Sequence, residues 1–363
     1  MANSRTPNPF KPTAGMNPPE LIGRDAVLGD FSEALDNGPG APERLMRISG
    51  VHGVGKTVLL NALGRIAEAK GFTVVDVASN PGFCSRIRDA LVRHRKVSSA
   101  EFAPSVLGVS LGSVSVSRPA TALGEAMLEA SGHGGLFMTL DEIQDAPADE
   151  MRELGNEIQL LIRRGANVAF AFAGLPAAVD EVVGERTLTF LQRARHVELA
   201  RLADFEVGDS MEDTIRRSGK SARSEVTFRL IEAAQGYPFM VQLVGYYSWQ
   251  AASRRGSDAI EVEDAERGVA NARASFDDMV IAPALRRLPE RQRAYLLAMA
   301  RCTSAPASSG EVAALMGAAT KDVSSYRARL MREGLVTKAG YGKVDFAVPY
   351  MREYLRERLD EED

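Results

Sequence analysis

Arg44 to Ile66 reads RLMRISGVHGVGKTVLLNALGRI, and its reading decides the fold. Leu45, Met46 and Ile48 form an apolar run of strand length, GVHGVGKT is a glycine-rich turn, and Leu59, Leu63 and Ile66 recur at the spacing of one helix face. Gly50, four residues, then Gly55-Lys56-Thr57 is the spacing of a phosphate-binding loop. The glycines let the backbone curl, with positive φ where needed, so that successive N–H groups point at phosphate oxygens. The helix N-terminus adds partial positive charge at the same place. Lys56 is then placed to reach β- and γ-phosphates, and the Thr57 hydroxyl to ligate Mg²⁺. Gly50, Val51, His52, Gly53, Val54, Gly55, Lys56, Thr57 and Val58 are the candidate nucleotide-binding loop. A glycine turn that binds nothing would leave Lys-Thr at the helix start unexplained.

Working outward, 363 residues suffice for two or three domains with their own cores. With 45% hydrophobic and 25% charged residues, the chain is expected to be soluble and globular. A net charge of −4 removes any case for nucleic acid based on overall charge and leaves only a local basic patch. Cys84 and Cys302 lie far apart, without metal-ligand spacing, which points to a reducing cytosol and no disulfide framework. No apolar run approaches the roughly 18 residues of a membrane span, and the N-terminus has no signal-like apolar region. The expectation is a cytoplasmic protein with no membrane partner.

Residues 1–20 carry five prolines among polar residues and read as a flexible, extended or disordered arm. Ile22-Gly23-Arg24-Asp25 then precedes an amphipathic helix with Val27, Leu28, Phe31 and Leu35. After the loop helix, TVVDVA (Thr73 to Ala78) reads as a strand and Phe83 to Val97 as a helix. Residues 98–117 alternate Val and Leu with Ser and Gly, as a hairpin-like insertion does, and are assigned no function. In LFMTLDEIQ, Leu136 to Gln144, an apolar strand ends in paired carboxylates. Asp141 is placed to support a hydrated Mg²⁺, and Glu142 to take the proton of an attacking water. VAFAFA (Val168 to Ala173) and HVEL (His196 to Leu199) complete five strands alternating with helices. Strands apolar throughout imply a parallel sheet covered on both faces, an α/β three-layer core over residues 21–200 with its ligand at the carboxyl edge.

Residues 201–280 lose the strand pattern and read as a helical lid in which Gly236-Tyr237-Pro238 introduces an apolar helix. Residues 281–359 read as helices, a hairpin about Gly340 and Gly342, and a strand, the outline of a C-terminal winged helix-turn-helix, with an acidic tail at 360–363. Its candidate recognition face carries Lys321, Ser325, Arg329 and Arg332, with Arg327 at the flank and Lys343 at the wing, enough charge for several DNA phosphate contacts. Glu333, Asp345 and the acidic tail oppose that charge.

These motifs together resemble the AAA+ ATPases, within them the branch of Orc1/Cdc6-like initiators, archaeal-type ATPases and STAND regulators. The resemblance covers most of the chain and rests on Gly23-Arg24, GVHGVGKT, LFMTLDEIQ, FLQRARHVEL, Gly236-Tyr237-Pro238 and the terminal winged helix. It implies ATP and Mg²⁺ held between core and lid, with Ile22 and Gly23 lining the adenine pocket, Arg24 beside them among the ATP-binding residues, and Pro238 touching the base. It places Arg193 or Arg195 as an arginine finger acting in trans in a homo-oligomer, against the plainer reading of a solvated helix end. Two departures bear on rate. The fourth strand ends in Ala173-Gly174 without a polar residue to orient water, and FMVQL after the lid proline lacks an arginine for the γ-phosphate. Both absences remove transition-state stabilisers, so turnover is expected to be slow without a partner. The expected function is a slow ATP-dependent switch associated with duplex DNA through its winged helix. The alternative is a signalling switch whose winged helix binds a protein. A metabolic kinase is disfavoured because the chain offers no acceptor pocket.

Overall fold

The computed structural model describes residues 6–13, 15–16, 18–100 and 122–362. The core begins with α1 (Asp25–Asn37), β1 (Leu45–Ser49), α2 (Lys56–Ala69), β2 (Thr73–Ala78), α3 (Phe83–Ala100) and α4 (Leu123–Ser131). It continues with β3 (Leu136–Asp141), α5 (Ala148–Arg163), β4 (Val168–Gly174), α6 (Pro176–Gly184) and β5 (Arg195–Glu198). The insertion expected over 98–117 lies outside the described residues from position 101 onward; residues 98–100 finish α3.

The five strands form one parallel sheet in the order β2-β3-β4-β1-β5. β4 is buried along its whole length. Because successive side chains alternate between faces, Val168, Phe170 and Phe172 join the core beneath α3 to α6, while Ala169, Ala171 and Ala173 join the core shared with α1 and α2. Alanines on that second face let α2 approach the sheet through Leu59 and Leu63, both fully buried. Arg44 fastens α1 to this core. Its Nε and Nη2 donate to the carbonyls of Ala34 and Leu35, at 2.9 and 2.7 Å, in the last turn of the helix.

Beyond β5 the chain is mostly helical: α7 (Asp204–Arg217), α8 (Ser224–Ala234), α9 (Pro238–Arg254), α10 (Val262–Phe276) and α11 (Ala282–Arg286). The pattern of helices alone is corrected in one detail, a short parallel pair of β6 (Ser221–Ala222) and β7 (Ala259–Ile260) that ties two loops together. The last unit comprises α12 (Glu290–Arg301), β8 (Ala307–Ser308), α13 (Ser309–Leu315), α14 (Thr320–Arg332), β9 (Val336–Lys338), β10 (Lys343–Phe346) and α15 (Met351–Glu362). Its strands form an antiparallel sheet ordered β8-β10-β9. Residues 360–362 of the acidic tail continue α15.

The N-terminal arm departs from a disordered reading. Residues 6–12 belong to no helix or strand but are pinned to α9: Phe10 is 2% exposed. The Asn8 side chain donates to the Tyr246 carbonyl at 2.9 Å, and the Lys11 amide donates to Gln242 Oε1 at 3.0 Å. The cause is Gly245, whose missing side chain leaves the space that the Phe10 ring fills. Among the described residues, no helix is long and apolar enough to cross a membrane.

One strained charge lies between α10 and α11. Asp277 Oδ1 is buried without a hydrogen-bond partner, and burial, with Glu357 and Asp278 nearby, holds the carboxyl up at about 6 despite Arg273 and Arg358. The folded state therefore binds this proton more tightly than the unfolded chain. The group's contribution to stability is full below the unfolded value of 3.8 and is lost as pH rises to about 6. Asp277→Asn should raise the melting temperature by about 2 to 4 °C at pH 8 and change it little at pH 4, measured by thermal unfolding at both pH values.

Candidate functional site

β1 delivers residues 50–55 to the carboxyl edge of the sheet, where Gly53 and Gly55 take φ of 78° and 96° and the chain turns into α2 at Lys56. That curl places the first turn of α2 over the end of β3. Gly53 is needed on two counts: its positive φ, and the Tyr237 hydroxyl, which would collide with a Cβ there. Tyr237 is 1% exposed, so the start of α9 is held against the loop by a buried ring.

Lys56 is also buried, and its Nζ donates to the carbonyls of Gly50 and Val51, both at 3.1 Å. Burial lowers its pKa, and Glu142 and Asp141 oppose that shift, so the ammonium is sustained by two facing carboxylates. Thr57 Oγ1 donates to Asp141 Oδ2 at 2.5 Å. Asp141 Oδ1 accepts the Glu142 amide at 2.9 Å. Burial raises the Asp141 carboxyl, against the hydrogen bond from Thr57. Such a paired hydroxyl and carboxylate beside an anion-binding loop is the donor set of an octahedral Mg²⁺, and the residues fit that ion. Glu142 takes a left-handed conformation, φ 56° and ψ 49°, with its carbonyl held by the Ser79 hydroxyl and its carboxylate by the Gln144 amide.

A cavity of about 350 Å³ opens beside these groups. Its polar end is Lys56, Thr57 and Glu142, and its apolar end includes Ile22, Pro238 and Phe239. An anionic chain fits the first and a flat heterocycle the second.

Of the residues expected at the nucleotide, Ile22, Arg24, Gly53, Val54, Gly55, Lys56, Thr57, Val58 and Pro238 line this cavity together. Gly23, Gly50 and Val51 do not line it; Gly23 packs against Glu206, and Gly50 against Val54 and Leu199. His52 faces the other way, into a cleft of about 660 Å³ between the core and the C-terminal unit. Burial and then Lys56 lower the His52 pKa, while Glu142, Asp145 and the Glu333 backbone pull it up. Arg193 and Arg195 lie outside the cavity and are exposed; Arg195 stands 4.0 Å from Asp30. The sequence reading missed Lys11, Thr13, Met16 and Gln242, which also line the cavity. An arm of prolines and polar residues carries no periodic signal.

The basic residues of α14 divide. Lys321 and Ser325 are exposed, as is Lys343 on β10. Arg327, expected at the flank, is half-buried and donates to Ser309 Oγ at 3.3 Å. Arg329 and Arg332 line the cleft with His52, Gln144 and Asp145. Tyr341, unnoticed in the sequence, stands fully exposed at the hairpin tip between Gly340 and Gly342.

Residues 20–170 match the family profile described as AAA ATPase domain, and residues 278–355 match a domain of unknown function. No curated protein matches the chain. Among solved structures, the chain is similar to the Walker-type ATPase of Pyrococcus abyssi, with a TM-score of 0.68 at 14% identity over 93% of this chain and 96% of that one. It is similar to the ORC2 protein of Aeropyrum pernix, with a TM-score of 0.62 at 16% identity over 96% of each chain. The Aeropyrum pernix ORC1 protein in complex with DNA gives 0.50 at 19% identity over 95% of this chain and 94% of that one. At such identities the likeness establishes the fold.

Removing the buried ammonium strips the loop of its main counter-charge. Lys56→Ala should weaken ATP binding by about 100-fold or more, as the loss of two charge-assisted hydrogen bonds implies. Titration calorimetry on wild type and variant reads this directly.

Proposed function

We propose that the chain, built on an AAA ATPase domain over residues 20–170, is a slow ATP-dependent switch that reports its nucleotide state to duplex DNA through its C-terminal unit. The observation that carries this reading is the shared cleft: Arg329 and Arg332 of α14 face His52 of the phosphate loop and Gln144 beside Glu142. A change at the phosphates therefore reaches the basic helix through packed residues and needs no long relay.

Within the site, the loop amides and Lys56 bind the phosphate chain, and the arm, Ile22 and Pro238 enclose the base. Thr57 and Asp141 would hold Mg²⁺, which neutralises phosphate charge when bound. Glu142 is the group that takes the proton of the attacking water. β4 ends in Ala173-Gly174, and the start of α9 offers Phe239 to Gln242 without an arginine, so transition-state charge meets few donors. Slow turnover follows, and Arg193 and Arg195, both exposed, are the candidates to act on a neighbouring subunit's nucleotide.

The order helix, strand, helix, helix and hairpin in residues 290–346 supports a winged-helix reading, with α14 as the recognition helix and Tyr341 at the tip of the wing. Lys321, Ser325 and Lys343 are open to a phosphate backbone. One protein of the same fold was solved with DNA, which makes duplex DNA the partner to test.

ATP hydrolysis with Mg²⁺ should be measured with and without duplex DNA across a salt series, with Glu142→Gln as the blank. Glu142→Gln should keep ATP bound and stop turnover; an unchanged rate removes the base assignment. DNA should stimulate the wild type and lose its effect as salt rises. The double variant Arg329→Ala, Arg332→Ala should keep ATP binding, weaken DNA retention and flatten the log–log salt slope by about 0.9 for each phosphate no longer neutralised. Unchanged retention in that variant assigns the surface to a protein partner instead.

A further inference from the structure

The strand end that lacks a polar side chain is not empty of polar groups. Gly174 closes β4, and the side chain of Gln144 occupies the space beside it, its Oε1 standing 3.1 Å from where a Cβ would be. Gln144 Oε1 accepts the Leu175 amide at 3.3 Å, and Nε2 donates to Glu142 Oε2. The amide has one orientation open to it: the Leu175 N–H can only donate, so the oxygen must face β4 and the NH₂ must face Glu142. A carboxylate can accept that N–H, and the bond is charge-assisted. The peptide of Glu142 is fixed at the same time, by its left-handed conformation and by the Ser79 hydroxyl on its carbonyl.

We infer that Gln144 is a positioning residue for hydrolysis: it carries the fixed geometry of the β4 terminus to the carboxylate of Glu142. It does the aiming that a polar residue at position 173 or 174 would otherwise do. The inference rests on the ATPase reading. In the step concerned, a water oxygen bonds to the γ-phosphorus as the bond from that phosphorus to the β–γ bridging oxygen breaks. ADP leaves with the electron pair, and the water proton passes to Glu142. Gln144 takes no proton; it limits the rotamers of the group that does. An acceptor swinging about its side-chain torsions would be in place for a small fraction of the time, and misplacement by about 1 Å costs on the order of 100-fold.

The geometry also sets what each substitution does. Alanine frees Glu142 and touches nothing that binds nucleotide, since Gln144 lies outside the nucleotide cavity. Glutamate keeps the length but has no N–H to donate to Glu142, so the contact that holds that carboxylate is lost.

The test is steady-state ATP hydrolysis by the full chain with Mg²⁺, comparing wild type, Glu142→Gln, Gln144→Ala and Gln144→Glu, with ATP affinity measured separately on each. Turnover no higher than a protein-free blank overturns the ATPase reading; turnover equal in wild type and Glu142→Gln removes the base assignment, and this inference with it. Given turnover, Gln144→Ala should lower kcat by about 10- to 100-fold with KM and ATP affinity within about twofold of wild type. Gln144→Glu, which removes the N–H donor to Glu142, should also lower kcat with ATP affinity retained. A kcat for Gln144→Ala equal to wild type sinks the inference while leaving the ATPase reading intact. Loss of ATP affinity in parallel with kcat also sinks it, because that is the mark of a structural role.

Discussion

The contact of Thr57 with Asp141 is the constraint on which the remainder of the site depends. The two residues are 84 positions apart, and their strands are not neighbours: β4 lies between β3 and β1. A hydroxyl at the start of α2 can reach a carboxylate at the end of β3 only if the helix sits low over the middle strand. The alanines of β4 that face α2 provide this closeness, and the phenylalanines on its other face fill the opposite layer. A strand of one composition on both faces would either lift the helix or leave a void. Packing in the middle strand thus sets the spacing of Thr57 and Asp141.

Bringing those groups together concentrates charge where water is scarce. Burial pushes Lys56 and His52 down and Asp141 up, and each is drawn back by partners within the same cluster. Lys56 and Asp141 stabilise one another's charged forms, while Glu142 supports the Lys56 ammonium and opposes the neighbouring Asp141 carboxylate, so removing Lys56 leaves two like charges uncompensated. An incoming polyphosphate with its cation adds charge of both signs to this set. The cluster is for that reason poised to respond to nucleotide.

Much of this was legible in the sequence, for reasons that differ by element. The loop, its flanking strand and the acid pair were readable because glycine, lysine, threonine and paired carboxylates at fixed spacing have few other uses. The five strands were readable because burial on both faces makes them continuous apolar runs; β2 falls on the predicted residues, and β5 starts one residue early, at Arg195. The arm was not legible, since its order comes from a hole at Gly245 more than 230 positions away. His52 and Val51 belong to the same motif in sequence as the cavity residues, yet the first half of the loop, residues 50–52, turns away from the cavity and only the residues from Gly53 onward line it. Arg327, Arg329 and Arg332 could be assigned to one helix but not to their partners, because the docking of two domains leaves no periodic trace.

That docking decides how a local change can become a global one. Gly334, just past α14, is buried against Leu175 and His52, and any side chain there would strike Leu175. Leu175 is the residue whose amide binds Gln144, and Gln144 is bound to Glu142. One short series of contacts therefore runs from Glu142 to the end of α14, and His52 offers a second from the loop after β1. Interfaces of this kind have discrete packings and do not deform continuously, so a shift of Glu142 or His52 favours one arrangement of the C-terminal unit over another. Arg329 and Arg332 line the same cleft, and a polyanion that engaged them would have to alter that packing. By linkage, whatever nucleotide does to the affinity of this surface, occupation of the surface does to the affinity for nucleotide.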